Sequence, residues 1–206
     1  KEQVNIVTVE DPVEADIEGI NQIQVNNKVD LTFASALRSI LRQDPDIIMI
    51  GEIRDKETAS IAVQASITGH LVVSTMHTNN AVGTLNRIAD MGIARYLVAD
   101  AIIGVIAQRL VRKLCPHCRQ KRLATDKEKR ILRRSEAEQT EVYEPVGCKL
   151  CNNTGYFGRT GVFEIMEVSD DMRRLIAENA STEEMIAAAK QGGMRTLREK
   201  RNPICS

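Results

Sequence analysis

Short apolar runs alternate with amphipathic stretches through the first half of the chain. The runs at residues 5–9, 47–50 and 71–75 are rich in Ile and Val, which is typical of strands buried on both faces of a parallel sheet. Between them, apolar residues recur at helical spacing. This alternation predicts an α/β domain whose parallel strands are joined by right-handed crossovers.

The helical stretches begin after residues that commonly cap helix N-termini. These caps are Thr32, Asp55 and either Asn79 or Asn80. We predict helices over 33–42, over 56–68 and from the third cap to Gly92, and a further helix over 95–114 that ends in two basic turns.

The pattern changes at Cys115, beyond which apolar periodicity is sparse. A strand over 161–168 and helices over 170–178 and 182–191 follow, the last with Ser181 and Glu184 as a capping box. We predict three parts, namely the α/β domain over 1–114, a small cysteine-containing module over 115–163, and a strand with helices over 164–206.

Two Cys-x-x-Cys pairs lie in the small module. Cys115 and Cys118 form the first pair, and Cys148 and Cys151 form the second after 29 intervening residues. Two such pairs can surround one Zn²⁺ ion tetrahedrally and leave no coordination position open. We therefore predict a structural zinc site, with a redox pair or unliganded thiols as the alternatives.

Composition argues against several functions. Lys and Arg total 28, as do Asp and Glu, and aromatic residues make up only 3%, whereas nucleic-acid binders are usually basic. The longest apolar stretch, residues 97–110, is short and interrupted by polar residues, so it does not predict a membrane span. No signal peptide opens the chain, and we expect a cytoplasmic protein without a specific nucleic-acid partner.

A basic run occupies residues 109–134, with eleven Lys or Arg residues against Asp126 and Glu128. Such a run usually forms a solvated face. The alternative is contact with anionic lipid headgroups or with an acidic, membrane-anchored partner.

Acidic or histidine side chains follow each of the three predicted strands. In an open α/β sheet, ligands bind at the carboxyl ends of the strands. Carboxylates gathered there can hold Mg²⁺ with its waters or activate a water molecule, and a histidine can contact a phosphate. Taken singly, such residues are more often loop acids, caps or strand-end histidines. The residues concerned are Glu10, Asp11, Glu14, Glu52 and His77.

Three segments carry a family resemblance that covers roughly residues 4–199. Residues 6–14 (IVTVEDPVE) resemble the Asp box of the type II secretion and type IV pilus assembly ATPases. Residues 41–55 (LRQDPDIIMIGEIRD) resemble the atypical Walker B motif of that family, and residues 68–79 (TGHLVVSTMHTN) resemble its His box. Family members also carry a tetracysteine module.

The resemblance implies a RecA-like P-loop NTPase core within a hexameric motor that uses ATP, Mg²⁺ and Zn²⁺. It implies inner-membrane platform and anchoring proteins as partners, and therefore peripheral association with that membrane. In the implied site, Glu52 activates the attacking water, and His77 senses the γ-phosphate. The other implied site residues are Glu10, Asp11 and Glu14 near magnesium, Gly51 close to the nucleotide, and Arg38 and Arg42 at the active site or subunit interface.

The chain departs from the family pattern in one respect. A phosphate-binding loop reads Gly-x-x-x-x-Gly-Lys-Ser/Thr, and none of the twelve glycines is followed by lysine. In the family this Walker A loop precedes the Asp box. We therefore expect a fragment that lacks this loop, binds ATP poorly and is inactive alone.

Two other functions remain open from the sequence. The chain could be a zinc-stabilised module that binds nucleic acid or a membrane partner without catalysis. It could also serve only in docking and oligomerisation. Within the family, the resemblance does not separate protein secretion from pilus assembly or DNA uptake.

Overall fold

The computed structural model describes residues 4–201. The strands are β1 (Ile6–Glu10), β2 (Asn21–Gln24), β3 (Ile47–Ile50), β4 (Leu71–Ser74), β5 (Gly104–Leu114), β6 (Gln120–Leu123), β7 (Glu141–Glu144) and β8 (Tyr156–Glu167). The α-helices are α1 (Phe33–Ile40), α2 (Lys56–Ile67), α3 (Ala81–Asp90), α4 (Arg95–Ala101), α5 (Asp126–Leu132), α6 (Asp170–Ala177), α7 (Thr182–Gln191) and α8 (Leu197–Arg201). Short 3₁₀ turns cover Asn27–Val29 and Lys149–Cys151.

The first four strands form one parallel sheet in the order β2-β1-β3-β4. The α/β class predicted from the sequence is thereby confirmed. Helix starts also agree with prediction, since the side chains of Thr32, Asp55 and Asn80 accept hydrogen bonds from the first turns of α1, α2 and α3. Because all four strands are parallel, their carboxyl ends meet at one edge of the sheet.

One face of the sheet carries the core. Val9, Ile48 and Ile50 are each 0% exposed and pack with Leu37 and Ile40 of α1. Small residues of α2 complete this cluster. The alternation of strand residues between faces explains the arrangement, since every second side chain points to the helices.

The opposite face of the sheet is less well covered. Thr8, Met49 and Val73 lie in register across β1, β3 and β4 on this face. Leu71 and Val73 are 45% and 49% exposed. The prediction that all three apolar runs are buried on both faces is therefore wrong for β4, because β4 is the outer strand of the sheet.

Several elements differ from the sequence expectation. Strand β8 begins at Tyr156 rather than at the predicted residue 161, and β6, β7, α5 and α8 were not predicted. The helix predicted over 95–114 is α4 only as far as Ala101, and β5 replaces the remainder. Gly104 weakens a helix, while Ile and Val flanking it favour an extended chain that pairs with β8. Strand β2 was not predicted, because its sequence NQIQ has one apolar residue and no apolar alternation.

Contacts divide the chain into two compact units. The first contains residues 4–105 together with Met166–Gly192, and in it α6 packs on α4 and α7. The second contains Ile106–Ile165 together with residues 193–201. It holds the β5–β8 pair, the antiparallel β6–β7 pair, α5 and α8. The domain limits 1–114, 115–163 and 164–206 stay a prediction.

Candidate active site and metal centre

Glu52 lies directly beyond the carboxyl end of β3. The preceding Gly51 continues the pairing with β1, since its N–H donates to the Val9 carbonyl at 2.8 Å. The Thr75 hydroxyl donates to the Gly51 carbonyl at 2.6 Å from the end of β4. These bonds hold the backbone at Glu52, whose side chain is only 14% exposed.

Two cationic or titratable side chains approach the Glu52 carboxylate. The Arg54 guanidinium donates to Oε2 of Glu52, and this bond raises the pKa of Arg54. Nε2 of His77 lies 3.6 Å from the same oxygen, and the His77 side chain is 90% exposed. The structure therefore brings together the predicted Glu52 and His77 from the ends of adjacent strands.

Glu10 is the last residue of β1 and is partly buried. Its Oε1 accepts hydrogen bonds from the Thr8 hydroxyl at 2.6 Å and from the Gln22 side-chain amide at 3.0 Å. The Thr8 bond, followed by the Gln22 bond, lowers the pKa of Glu10, although burial opposes the effect. Glu10 is thus held as a carboxylate at the edge shared with Glu52.

The other predicted acids of this segment occupy the exposed loop after β1. Asp11 and Glu14 are both exposed. The negative charge of Asp11 contributes to the raised pKa of Arg54, so the loop and the Glu52 segment influence each other electrostatically. Four of the five predicted catalytic positions, Glu10, Asp11, Glu52 and His77, thus lie near Arg54 or one another, and the backbone of Glu14 hydrogen-bonds Glu10.

Arg38 and Arg42 lie at the end of α1 and just beyond it. Arg38 forms a 2.5 Å ion pair with Glu57 of α2, and both side chains are more than half exposed. Arg42 is exposed. Within the described residues, neither arginine forms a hydrogen bond or an ion pair with Glu52 or Glu10, and their roles at a nucleotide or subunit interface stay a prediction.

Gly51 is in close contact with β1. A Cβ at this position would lie 3.3 Å from the Val9 carbonyl oxygen and 3.4 Å from Cα of Glu10. The close approach of β1 therefore favours glycine at position 51 without any contact to a ligand. A nucleotide contact at Gly51 stays a prediction.

Sequence reasoning missed two residues of this edge. Arg54 stands two positions after Glu52, and this i, i+2 spacing beyond a strand could have indicated a pair on one side of the chain. Gln22 could not be recognised, because its contact with Glu10 depends on β2, for which the apolar pattern gives no signal.

The four cysteines of the paired motifs converge in the second unit. Their Sγ atoms all lie within 4.8 Å of one another. Three Sγ–Sγ distances are 3.9 Å for Cys115–Cys148, 3.8 Å for Cys118–Cys151 and 3.7 Å for Cys148–Cys151. A tetrahedral ion with Zn–S bonds of ~2.3 Å requires sulfur separations of about 3.8 Å. The cluster therefore fits zinc.

Backbone N–H groups also favour thiolates in this cluster. Gly147 donates to Cys118 Sγ at 3.3 Å, and Cys148 and Gly155 donate to Cys151 Sγ at 3.2 and 3.3 Å. Burial raises the pKa of Cys118 to about 11. Burial acts in the same direction on Cys151, but its two N–H donors prevail and lower its pKa to about 6. A cation among the sulfurs would compensate for the burial of their charge.

Most of the basic run from residue 121 onwards is paired with carboxylates. Arg122 illustrates this, since it binds Glu128 at 2.6 Å and Glu144 at 2.7 Å. The other paired cations are Lys121, Lys129, Arg130, Arg133 and Arg134. This part of the run therefore serves internal pairing, which favours the structural interpretation over a binding surface.

Comparison with known families assigns the chain. The family model described as "Type II/IV secretion system protein" matches residues 1–205. The chain belongs to this family. The sequence-based assignment, made from the three motifs and the cysteine module, is thereby confirmed.

Curated relatives of this family are closely similar over most of the chain. The type II secretion system protein HxcR of Pseudomonas aeruginosa is 53% identical over 195 residues, covering 95% of this chain and 38% of that protein. The type II secretion system ATPase E of Vibrio cholerae is 53% identical over 181 residues, covering 88% of this chain and 36% of that protein. The chain thus spans little more than a third of their length.

Two solved structures share the fold of this chain. The pilus retraction motor PilT with bound ADP superposes with a TM-score of 0.61 at 28% identity, covering 96% of this chain and 51% of that one. The Legionella pneumophila ATPase DotB gives a TM-score of 0.57 at 21% identity, covering 97% and 47%. The predicted fold class is therefore confirmed. In the part of the chain that the structure describes, no helix is long and apolar enough to span a membrane.

Proposed function

We propose that the chain is the catalytic part of an ATP-hydrolysing motor subunit that powers type II protein secretion or type IV pilus assembly. Family membership supports this proposal, as do relatives named as a secretion system ATPase and a pilus retraction motor. By itself, the chain should be inactive, because its sequence contains no Gly-x-x-x-x-Gly-Lys-Ser/Thr loop to bind phosphates.

The observation that carries the proposal is the meeting of Glu52 and His77. They come from the ends of adjacent parallel strands, and Nε2 of His77 lies 3.6 Å from the Glu52 carboxylate. Ligands of open α/β sheets bind at this edge. The bonds of Gly51 to β1 and to Thr75 fix the backbone next to Glu52. Its carboxylate is only 14% exposed and is suited to orient and deprotonate an attacking water.

The remaining predicted residues take supporting roles in this proposal. Mg²⁺, when bound with ATP, would supply positive charge against the phosphates, and carboxylates fit this hard cation. Glu10, Asp11 and Glu14 would hold its waters, and His77 would contact the γ-phosphate. Gly51 would lie close to the nucleotide. Arg38 and Arg42 would act at the active site or between subunits.

The tetracysteine cluster would hold one structural Zn²⁺ ion. Four sulfurs complete a tetrahedron, so the ion would have no open position for substrate. This distinguishes the cluster from the hydrolytic edge at Glu52. The zinc would therefore maintain the fold of the second unit and take no part in hydrolysis.

We further propose that the full-length protein acts as a hexamer and contacts inner-membrane platform and anchoring proteins of its machine. Its location would be cytoplasmic, with peripheral association through these partners. The family relationship supports this arrangement. A purely docking function gains little support from the basic run, because the structure pairs most of its later half with carboxylates.

Replacing Glu52 with Gln in the full-length protein tests the catalytic assignment. Glu52→Gln keeps the size of the side chain but removes its negative charge, so it can no longer accept a proton from water. We expect turnover to fall about 100- to 10,000-fold, with ATP affinity near that of the wild type, as measured by steady-state hydrolysis and equilibrium binding.

A matched control is Glu183→Gln, which neutralises an exposed carboxylate in the first turn of α7. It should leave turnover unchanged. Hydrolysis by Glu52→Gln within a few-fold of the wild type would make Glu52 a structural acid and would favour Glu10 or Asp11 as the base.

A further inference from the structure

Gln22 in β2 connects the acidic edge to the exposed loop that follows β1. Its Nε2 donates to Oε1 of Glu10 and to the carbonyl of Ala15, each at 3.0 Å. Its Oε1 accepts the N–H of Ile17 at 2.7 Å. One side chain thus makes three hydrogen bonds to the segment that contains the predicted magnesium-associated acids.

The bonding pattern requires a side-chain amide. The two hydrogens on Nε2 serve two acceptors, while the carbonyl oxygen serves one donor. A carboxylate of the same size offers no donor, and a methionine offers neither a donor nor a strong acceptor. Other residues could form the strand at this position, but only glutamine among these side chains can make all three hydrogen bonds.

The sheet fixes where this amide lies. Residue 22 is in register with Thr8 of β1, and Thr8 is the second donor to Oε1 of Glu10, at 2.6 Å. Two neutral donors thus hold the same carboxylate oxygen from adjacent strands. Because neither donor carries charge, they orient Glu10 without cancelling its negative charge.

We propose that Gln22 is a positioning residue that holds Glu10 and the acidic loop in place for a magnesium–nucleotide ligand. This inference rests on the proposed ATP-hydrolysing function. Gln22 does not touch the reacting groups in this role. It acts through Glu10 and through the backbone of the loop, in the way that outer-shell partners orient metal ligands.

Amide hydrogen exchange on this chain tests the loop contacts without any nucleotide. In Gln22→Met, all three bonds are lost, so the Ile17 amide should exchange about fivefold faster or more, since a lost hydrogen bond is worth about 1 kcal/mol. Asn21→Leu is the control, because Asn21 lies on the same strand but bonds Asn5 instead.

The second arm measures magnesium dependence in the full-length protein. For Gln22→Met, the Mg²⁺ concentration at half-maximal ATP hydrolysis should rise about 10- to 100-fold, with little change in the KM for ATP at saturating Mg²⁺. Asn21→Leu should match the wild type. A general loss of stability would instead lower turnover without shifting the Mg²⁺ dependence.

The outcomes separate the two proposals. Unchanged Ile17 exchange in Gln22→Met overturns the role of Gln22, and so does an unchanged Mg²⁺ dependence in an active enzyme. A wild-type full-length protein without Mg²⁺-dependent hydrolysis overturns the proposed function, and Ile17 exchange then still decides whether Gln22 holds the loop.

Discussion

Glu52 and His77 differ sharply in how firmly the protein holds them. Glu52 is 14% exposed and follows a strand whose end is fixed by bonds to β1 and β4, whereas His77 is 90% exposed. In the proposed role, His77 would therefore gain a fixed position only when its ligand binds. This difference in burial predicts different consequences of replacing the two residues.

His77→Ala in the full-length protein should be milder than Glu52→Gln. A side chain that contacts phosphate contributes to positioning, while the base takes part in bond formation itself. We expect turnover to fall less than about 100-fold, with a weaker apparent affinity for ATP, both measured in the same steady-state assay. A loss equal to that of Glu52→Gln would instead assign proton transfer to His77.

At this scale the sequence predicted the site in part. Glu52 and His77 could be recognised because each follows an apolar run that marks a strand end. Arg54 and Gln22 were not recognised, since their importance lies in contacts with Glu52 and Glu10 that only the folded sheet creates. A polar residue whose role is to hydrogen-bond another polar residue does not produce a periodic pattern in the sequence.

The elements of the second unit are short and make their own network of polar contacts. Strands β6 and β7 have four residues each, and only Val142 of β7 is buried among them. Helix α5 has seven residues, and none of the seven is buried. Arg122 joins these elements through its ion pairs with Glu128 and Glu144. Because such elements bury little apolar surface, we expect zinc bound by the cysteine cluster to contribute much of the stability of this unit.

The four-cysteine cluster predicts one bound zinc ion per chain. Protein purified without added metal should contain about one zinc per chain by elemental analysis, because four protein sulfurs saturate a tetrahedral ion. Cys148→Ser should lose the metal and raise amide exchange across β6 and β7. The protection of β1 and β3 should remain. A zinc content near zero with four reactive thiols would contradict the assignment.

The sequence predicted helices correctly where one face of the helix is apolar and buried. It failed where pairing with a distant strand determines the secondary structure. Helices α1, α2 and α7 carry clear caps and apolar faces, and they form at the predicted positions. The stretch 95–114 could form a helix throughout by composition, but β8 supplies a pairing partner for its second half. Pairing between segments some 50 residues apart in sequence cannot be read from either segment alone.

At the scale of the whole molecule, the chain would supply only part of the proposed nucleotide site. It provides the acids and the histidine at the sheet edge, while its sequence contains no phosphate-binding loop. We therefore expect the 206-residue chain to hydrolyse ATP no faster than a Glu52→Gln version of itself, measured by phosphate release. Turnover that depends on Glu52 would show that phosphates bind elsewhere in this chain.

The path of the chain around the cysteine-containing unit has a consequence for how such proteins arise. The chain leaves the first unit after Val105 and returns at Met166, and close to these points the N–H of Val168 donates to the carbonyl of Ile103 at 3.0 Å. Exit and return are therefore neighbours, a geometry that tolerates inserted domains. These 60 residues could thus have been acquired, exchanged or shortened in one genetic event without cutting through the parallel sheet, while residues 193–201 join the second unit from outside this segment.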